Sequence, residues 1–211
     1  MDQRVGALGI IAGNVAKSEN FSRVIWVVGF VRMELRISKG QELLGSVVAE
    51  QIMELDRKNM QSVFAAAGIE FPLAKRRKGM ESATFILALD GEALAGYLEY
   101  LRSWTNADNI YIGSVQIERR YRGGGLLLQL LERFRELMAA EDFAGFETNV
   151  QKVNVTAANL YRKLGFTLEP NPRNDASWIA RADKALLTDS PLATLLERWH
   201  TRRRVRQVSN E

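Results

Sequence analysis

Ile110-Tyr111-Ile112-Gly113-Ser114-Val115-Gln116-Ile117-Glu118-Arg119-Arg120-Tyr121-Arg122-Gly123-Gly124-Gly125-Leu126-Leu127-Leu128-Gln129-Leu130-Leu131 is the stretch around which the rest of this 211-residue chain is organised. Its first half is rich in β-branched and aromatic residues and predicts a strand. Its second half predicts a helix, because Leu127, Leu130, Leu131, Phe134 and Leu137 recur on one face. Between the two stand Arg122 and three glycines. A strand that ends in a glycine turn and feeds a helix leaves the first N–H groups of that helix without intrahelical partners. Such a terminus attracts an anion, and neighbouring arginines turn the preference toward phosphate.

Spacing separates the loops that use this device. The P-loop needs lysine and then serine or threonine after its last glycine, and Leu126-Leu127 follow here. The dinucleotide fingerprint Gly-x-Gly-x-x-Gly begins well at Gly123 and Gly125, with Glu147 about 20 residues on, but Leu128 takes the place of its third glycine. For the turn taken alone, a tight connection that holds no ligand stands as the plain alternative.

Arg122-Gly123-Gly124-Gly125-Leu126-Leu127 resembles the pyrophosphate loop, Gln/Arg-x-x-Gly-x-Gly/Ala, of the GNAT acyltransferases, the Gcn5-related N-acetyltransferase family. Leu127 departs from that pattern and puts a side chain where the backbone would approach the pyrophosphate. The stretch from Arg120 to Gly125 fits the same formula in a second register that displaces Leu130-Leu131; the first register is preferred. An independent match lies downstream. Asn154-Val155-Thr156-Ala157-Ala158-Asn159-Leu160-Tyr161-Arg162-Lys163-Leu164-Gly165-Phe166 resembles the family's Asn-x-x-Ala-x-x-Leu-Tyr-x-x-x-Gly-Phe segment. Asn154 suits a helix start, Ala157, Leu160, Tyr161 and Leu164 share a face, and Gly165 suits the helix end. Alone this would be an amphipathic helix with Tyr161 as a core residue. Together the two segments identify residues 33–184 as similar to a GNAT domain, with residues 1–32 an extension and residues 185–211 a basic C-terminal helix.

The resemblance implies an α/β (α+β) chain of GNAT acyl-CoA N-acyltransferase fold, with a mixed, mostly antiparallel central sheet flanked by helices and a C-terminal amphipathic helix. It implies acetyl-CoA as cosubstrate, no metal, and direct transfer of the acetyl group to an amine in a ternary complex. The acceptor would be a small-molecule amine or an amine on a protein or peptide. Tyr161 resembles the family's general acid, protonated at neutral pH at an ordinary pKa of ~10. Glu118 is the candidate base. Tyr111 stands in the central-strand region where many relatives carry a glutamate, and Glu99 and Glu147 lie on neighbouring strands. Cofactor contacts are implied at Gln116, Ile117, Arg122, Gly123, Gly124, Gly125, Leu126, Leu127 and Asn154. In the family the loop-bearing strand and the next one splay apart, and the pantetheine arm pairs with the exposed backbone. Backbone near Gln116 and Ile117 would then also stabilise the oxyanion. The alternative is a non-catalytic module of the same fold that holds acyl-CoA or an anionic macromolecule.

The acceptor's own pKa sets how much a base matters. An amine with pKa ~10.4 loses about 4.6 kcal/mol of protonation preference at pH 7, whereas an α-amine near 7.7 to 8.0 loses only about 1 to 1.4. With no obvious strand carboxylate, an α-amine or another low-pKa amine is the expected acceptor.

Composition narrows the remaining classes. Hydrophobic content of 46% with 26% charged residues describes a globule, not a disordered chain. A net charge of +4 suits anionic ligands but is too small to imply nucleic acid. Without cysteine there is no disulfide frame, zinc–thiolate site or thiol nucleophile, and the cytoplasm is the default compartment. His200 is the only histidine, which argues against a metal site or a histidine triad. The apolar run at residues 24–31 is far shorter than the ~20 residues of a membrane span and reads as a buried strand. Met33 begins what looks like the domain's first strand and is an alternative natural start.

Residues 39–57 have helical period through Leu43, Val47, Ile52 and Leu55, and residues 59–67 suggest a second short helix. The basic run Lys75-Arg76-Arg77-Lys78 reads as a solvated loop, with an acidic substrate or the adenosine phosphate of CoA as its alternative partner. Asp90-Gly91 between two apolar runs predicts a hairpin. Residues 145–150 and 176–182 predict further strands. Leu192, Leu195, Leu196 and Trp199 form an apolar helix face ahead of Arg202, Arg203, Arg204 and Arg206. This helix is expected to dock on its own domain or to form a homodimer, with nucleic acid or a membrane as the less favoured partner.

Overall fold

The computed structural model describes residues 24–28, 31–68, 70–123 and 125–208. Among the described residues, eight strands form one sheet in the order β1-β2-β3-β4-β5-β6-β8-β7. They are β1 Val24–Val28, β2 Val31–Lys39, β3 Thr84–Asp90, β4 Ala93–Arg102, β5 Asn109–Ile117, β6 Gly145–Gln151, β7 Thr167–Pro170 and β8 Ser177–Asp183. Every neighbouring pair is antiparallel except β5 and β6. The Asp90-Gly91 signal makes the hairpin it predicts, with Asp90 opposite Ala93 and Gly91 at φ +61°. β3 is buried from Thr84 through Leu89, which is why its sequence is a continuous apolar run rather than an alternating one.

Helices cover both faces of the sheet. On one side lie α1 Gly40–Leu43, α2 Val47–Ala66 and α3 Leu73–Met80, closing a core of Leu43, Ile52, Met53, Leu55 and Met80 over Phe85, Leu87 and Tyr97. On the other, α4 Leu126–Met138, α5 Val155–Leu164 and α6 Pro191–Val208 bury Leu126, Leu130, Phe134, Ala158, Leu164, Leu192 and Leu196 against Ile86, Leu98, Ile112 and Phe146. Leu192 and Leu196 thus dock α6 on its own chain, while Leu195 faces outward. Among the described residues no helix is long and apolar enough to cross a membrane.

Three sequence expectations are corrected here. The helical region breaks earlier than its period suggests: Gly45 takes φ +78° and Ser46 caps α2 by accepting from Ala49 N at 3.2 Å, after which α2 runs unbroken to Ala66. The Lys75–Lys78 run lies in α3, not in a solvated loop, and Arg76 turns inward. On α4, Leu130, Leu131 and Phe134 are buried as expected, but Leu126 and Met138 complete the buried face, with Leu127 and Leu137 packed at its margin.

Gly40 locks the first helical layer to the sheet. Its N–H donates to Ala83 O at 2.8 Å, and a Cβ there would stand 1.6 Å from Met80 O. Gly40→Ala is therefore expected to lower stability by about 3 kcal/mol, the upper part of the range for overpacking, read as a drop in the denaturant midpoint at unchanged slope.

Candidate active site

β5 and β6 pair only at Asn109–Gly145, Ile110–Phe146 and Tyr111–Glu147. Past Tyr111 the two strands part, so β5 backbone from Ile112 to Ile117 has no partner strand on that side. A bulge assists the parting. On β4, Glu99 faces Ser114 but Tyr100 faces Ile112, which leaves Gly113 as an extra residue. A Cβ at Gly113 would stand 2.9 Å from Glu99 Cδ, so a side chain there would displace the Glu99 carboxylate. The closed end of the fork is pinned by the buried Glu147 carboxylate, which accepts from Ser103 Oγ and from Thr105 Oγ1 at 2.6 Å. Trp104 packs on Tyr111 there, ring centroids 4.5 Å apart.

Two tyrosine hydroxyls meet β6 just past the fork. Tyr161, on α5, bonds Thr148, and its ring lies edge-on to Phe166 at 5.1 Å. Its residue keeps some surface, but the hydroxyl end is enclosed, and this burial raises its pKa above 10, so it holds its proton at neutral pH. Tyr111 bonds Asn149, and burial pushes it up to about 12.

A buried ionic cluster occupies the α2–α3 face of the same region. Arg76 Nε donates to Asp56 at 2.5 Å, and its two terminal nitrogens reach the Glu99 carboxylate at 2.9 and 2.7 Å. The Tyr97 hydroxyl donates to Asp56 and lies 3.3 Å from Ser114 Oγ. Glu99 and Asp56 are only 4% and 2% exposed, so two carboxylates share one guanidinium in a site nearly free of water. Burial disfavours the Arg76 charge, but Tyr97, Glu99 and Asp56 outweigh it and keep the guanidinium protonated. Burial lifts the Glu99 pKa above the ordinary carboxylate value, against the pull of Arg76. Polar contacts continue along β5: Gln116 Nε2 donates to Ser114 Oγ at 3.1 Å, and Asn59 Nδ2 of α2 donates to Gln116 Oε1 at 2.9 Å.

The glycine loop closes the far end of β5. A 3-10 turn at Arg119–Tyr121 leads into it, pinned by the Tyr121 hydroxyl on Asp90 Oδ2 at 2.6 Å. Arg122 reaches back, Nε to Ile117 O at 3.1 Å and Nη2 to Asn59 Oδ1 at 2.7 Å. Gly123 and Gly125 both take φ +82°, and Gly124 lies outside the described residues. Gly125 caps α4 without a side chain, and the first backbone bond onto it comes from Gln129 N at 3.1 Å. The N–H groups of Leu126, Leu127 and Leu128 therefore lack intrahelical partners and suit an anion. The Leu127 side chain packs against the core.

The structure thus gathers Gln116, Ile117, Arg122, Gly123, Gly125, Leu126 and Leu127 at one end of β5, and sets Tyr161 near the fork. Asn154 caps α5, its Oδ1 accepting from Ala157 N at 3.1 Å. Glu118 goes with the loop, not with Tyr161: it stands seven positions past Tyr111, about 23 Å at the usual rise. Glu99 stands across from the bulge instead. Asp56, Arg76, Tyr97, Ser114 and Thr148 were not singled out by the sequence. A charged residue beside Ile52, Met53 and Leu55 was the available signal for Asp56; Arg76 had none inside its basic run. A groove of about 670 Å³ bounded by Arg135, Met138, Lys184 and Leu187 lies at the opposite end of α4 and belongs to no part of this constellation.

The sequence pattern of the Acetyltransferase (GNAT) family matches residues 49–166, from α2 through the end of α5. The chain belongs to the GNAT family. Solved GNAT-type structures agree on the fold. An acetyltransferase from Thermus thermophilus aligns at 19% identity over 72% of this chain and 96% of its own, with a TM-score of 0.53. The PaiA N-acetyltransferase from Thermoplasma acidophilum, solved in complex with coenzyme A, aligns at 16% identity over 71% and 98%, TM-score 0.52. An acetyltransferase from Streptococcus agalactiae aligns at 17% identity over 71% and 98%, TM-score 0.55. No curated protein matches the sequence. In this GNAT chain the matched region spans the loop, the fork, the ionic cluster and Tyr161, but stops short of α6.

Proposed function

We propose that this GNAT chain transfers the acetyl group of acetyl-CoA directly to an amine, with Tyr161 as general acid and Glu99 as proton acceptor. The observation that carries the reading is the β5–β6 fork, unpaired from Ile112 to Ile117, with a protonated tyrosine fixed beside it and an anion-ready helix start at its far end. The residues fit the cosubstrate. Unpaired β5 backbone around Gln116 and Ile117 takes the pantetheine amides; Gly123, Gly125 and the first N–H groups of Leu126 and Leu127 take the pyrophosphate; Arg122 adds charge at that end. Asn154 acts by holding the start of α5, and hence Tyr161.

The chain's residues then divide one proton transfer into two. The amine nitrogen bonds to the thioester carbon, and backbone N–H groups of β5 bear the oxyanion. Glu99 takes the proton that the nitrogen sheds. As the C–S bond breaks, Tyr161 gives its phenolic proton to the departing sulfur. Glu99 suits its role better than an exposed glutamate, because a carboxylate lifted toward the working pH is a stronger base. The lower deprotonation cost still favours an α-amine or other low-pKa amine, on a small molecule or a peptide.

Titration calorimetry with acetyl-CoA, CoA and NADH is the direct test, followed by an amine panel at pH 7 read by mass of the acetylated product. Acetyl-CoA and CoA are expected to bind at one per chain and NADH not to bind. A folded protein that binds no CoA would overturn the reading. Reaction with lysine-type amines alone would overturn the acceptor preference.

A further inference from the structure

α6 lies beyond residue 166, where the family match ends, yet it touches both segments that carry the site. Its start packs on the end of α5: a Cβ at Gly165 would stand 3.2 Å from Pro191 Cδ. Its first turns are held by Ser190 Oγ, which accepts from Ala193 N at 3.1 Å, and by the burial of Leu192, Ala193 and Leu196. Further along, His200 Nε2 lies 2.8 Å from Glu132 Oε1 on α4, a carboxylate also held by Arg135 at 2.7 Å. One residue earlier, the Trp199 indole reaches the glycine loop: a Cβ on Gly125 would stand 3.5 Å from Trp199 Nε1. The half-buried indole therefore lies beside the left-handed residue that starts α4, within touching distance of the space a Cβ would take there.

We infer that α6 is part of the acyl-CoA site, with Trp199 acting as a positioning residue that braces the pyrophosphate loop. This rests on the acetyl-CoA reading above. A loop of three glycines has a wide choice of backbone conformations, and each must be given up when pyrophosphate binds. A rigid aromatic set beside Gly125, on a helix anchored through Leu196 and His200, narrows the room open to the loop and removes part of that freedom beforehand.

Intrinsic fluorescence of the full chain, titrated with CoA, tests the inference against W199F and W199A. The wild type is expected to show a saturable change that W199F largely loses. CoA affinity should fall about threefold in W199F, which keeps an aromatic wedge, and about tenfold in W199A, as expected for lost preorganisation, with the W199F unfolding midpoint near that of the wild type. If the wild type binds CoA and both variants keep its affinity and its full signal, the brace is wrong while the acetyl-CoA reading stands. If no CoA binds to the folded wild type, both fall.

Discussion

Tyr161→Phe should lower turnover by about 10²- to 10⁴-fold while CoA affinity changes by less than about threefold. The substitution keeps the ring that packs edge-on to Phe166 and removes only the hydroxyl. What is lost is the proton for the departing sulfur, together with a hydrogen bond to the buried Thr148. An orphaned buried hydroxyl costs about 1–3 kcal/mol, enough to lower the unfolding midpoint without abolishing the fold. Single-turnover acetyl transfer at saturating acetyl-CoA separates this effect from binding. Because burial raises the Tyr161 pKa, the alkaline limb of the wild-type rate profile should lie above pH 10. Wild-type turnover in the phenylalanine variant would remove Tyr161 from the chemistry and leave the thiolate to depart unaided.

Arg76→Met is the variant expected to cost most in stability, about 3–5 kcal/mol, since it leaves Asp56 and Glu99 buried together without their cation. Its effect on the reaction has a definite sign. Glu99 is lifted by burial and pulled back by Arg76, so removing the guanidinium lifts it further. A base must be deprotonated to accept a proton, so the acid limb of the rate profile moves to higher pH and the rate at pH 7 falls. Stability follows the same group: with the folded pKa above the unfolded one, the stabilising contribution is complete below the unfolded value near 4.3 and is lost as pH rises through the folded value. The variant's deficit should therefore narrow on acidification. Arg76→Lys keeps the charge but not the two-pronged contact with Glu99, and should fall between. Chemical denaturation across pH and a pH–rate profile measure both limbs; an unshifted acid limb with the stability loss intact would confine Arg76 to a structural role.

The parts of this protein that were legible in its sequence are those whose chemistry is local. The glycine loop, the Asp90-Gly91 hairpin and the Asn154-to-Phe166 segment each carry their own cap or turn residue, and each forms where the pattern predicts. The ionic cluster was illegible because its members come from α2, α3 and two positions of β4, joined only by the fold. Arg76 stands between Lys75 and Arg77 and differs from them in no local respect; the helical turn that aims it at Asp56 also sends Arg77 out to Glu50. Glu118 stands beside the loop in the sequence, whereas Glu99, across from the bulge, owes its place to cross-strand pairing.

The bulge at Gly113 splits β5 into two reading frames. Ile110 and Ile112 face the α4 core at even positions, whereas Val115 and Ile117 face it at odd ones. Losing Gly113 itself would close the bulge and leave one plain alternation with Val115 and Ile117 still on the α4 side, whereas losing a residue on either side of it, with the bulge kept, would turn part of the strand inside out. Drift along this strand is thus policed by two opposite grammars that meet at one glycine. Insertions and deletions on either side are tolerable only in compensating pairs, so the strand that holds the chemistry is also the one least free to change length.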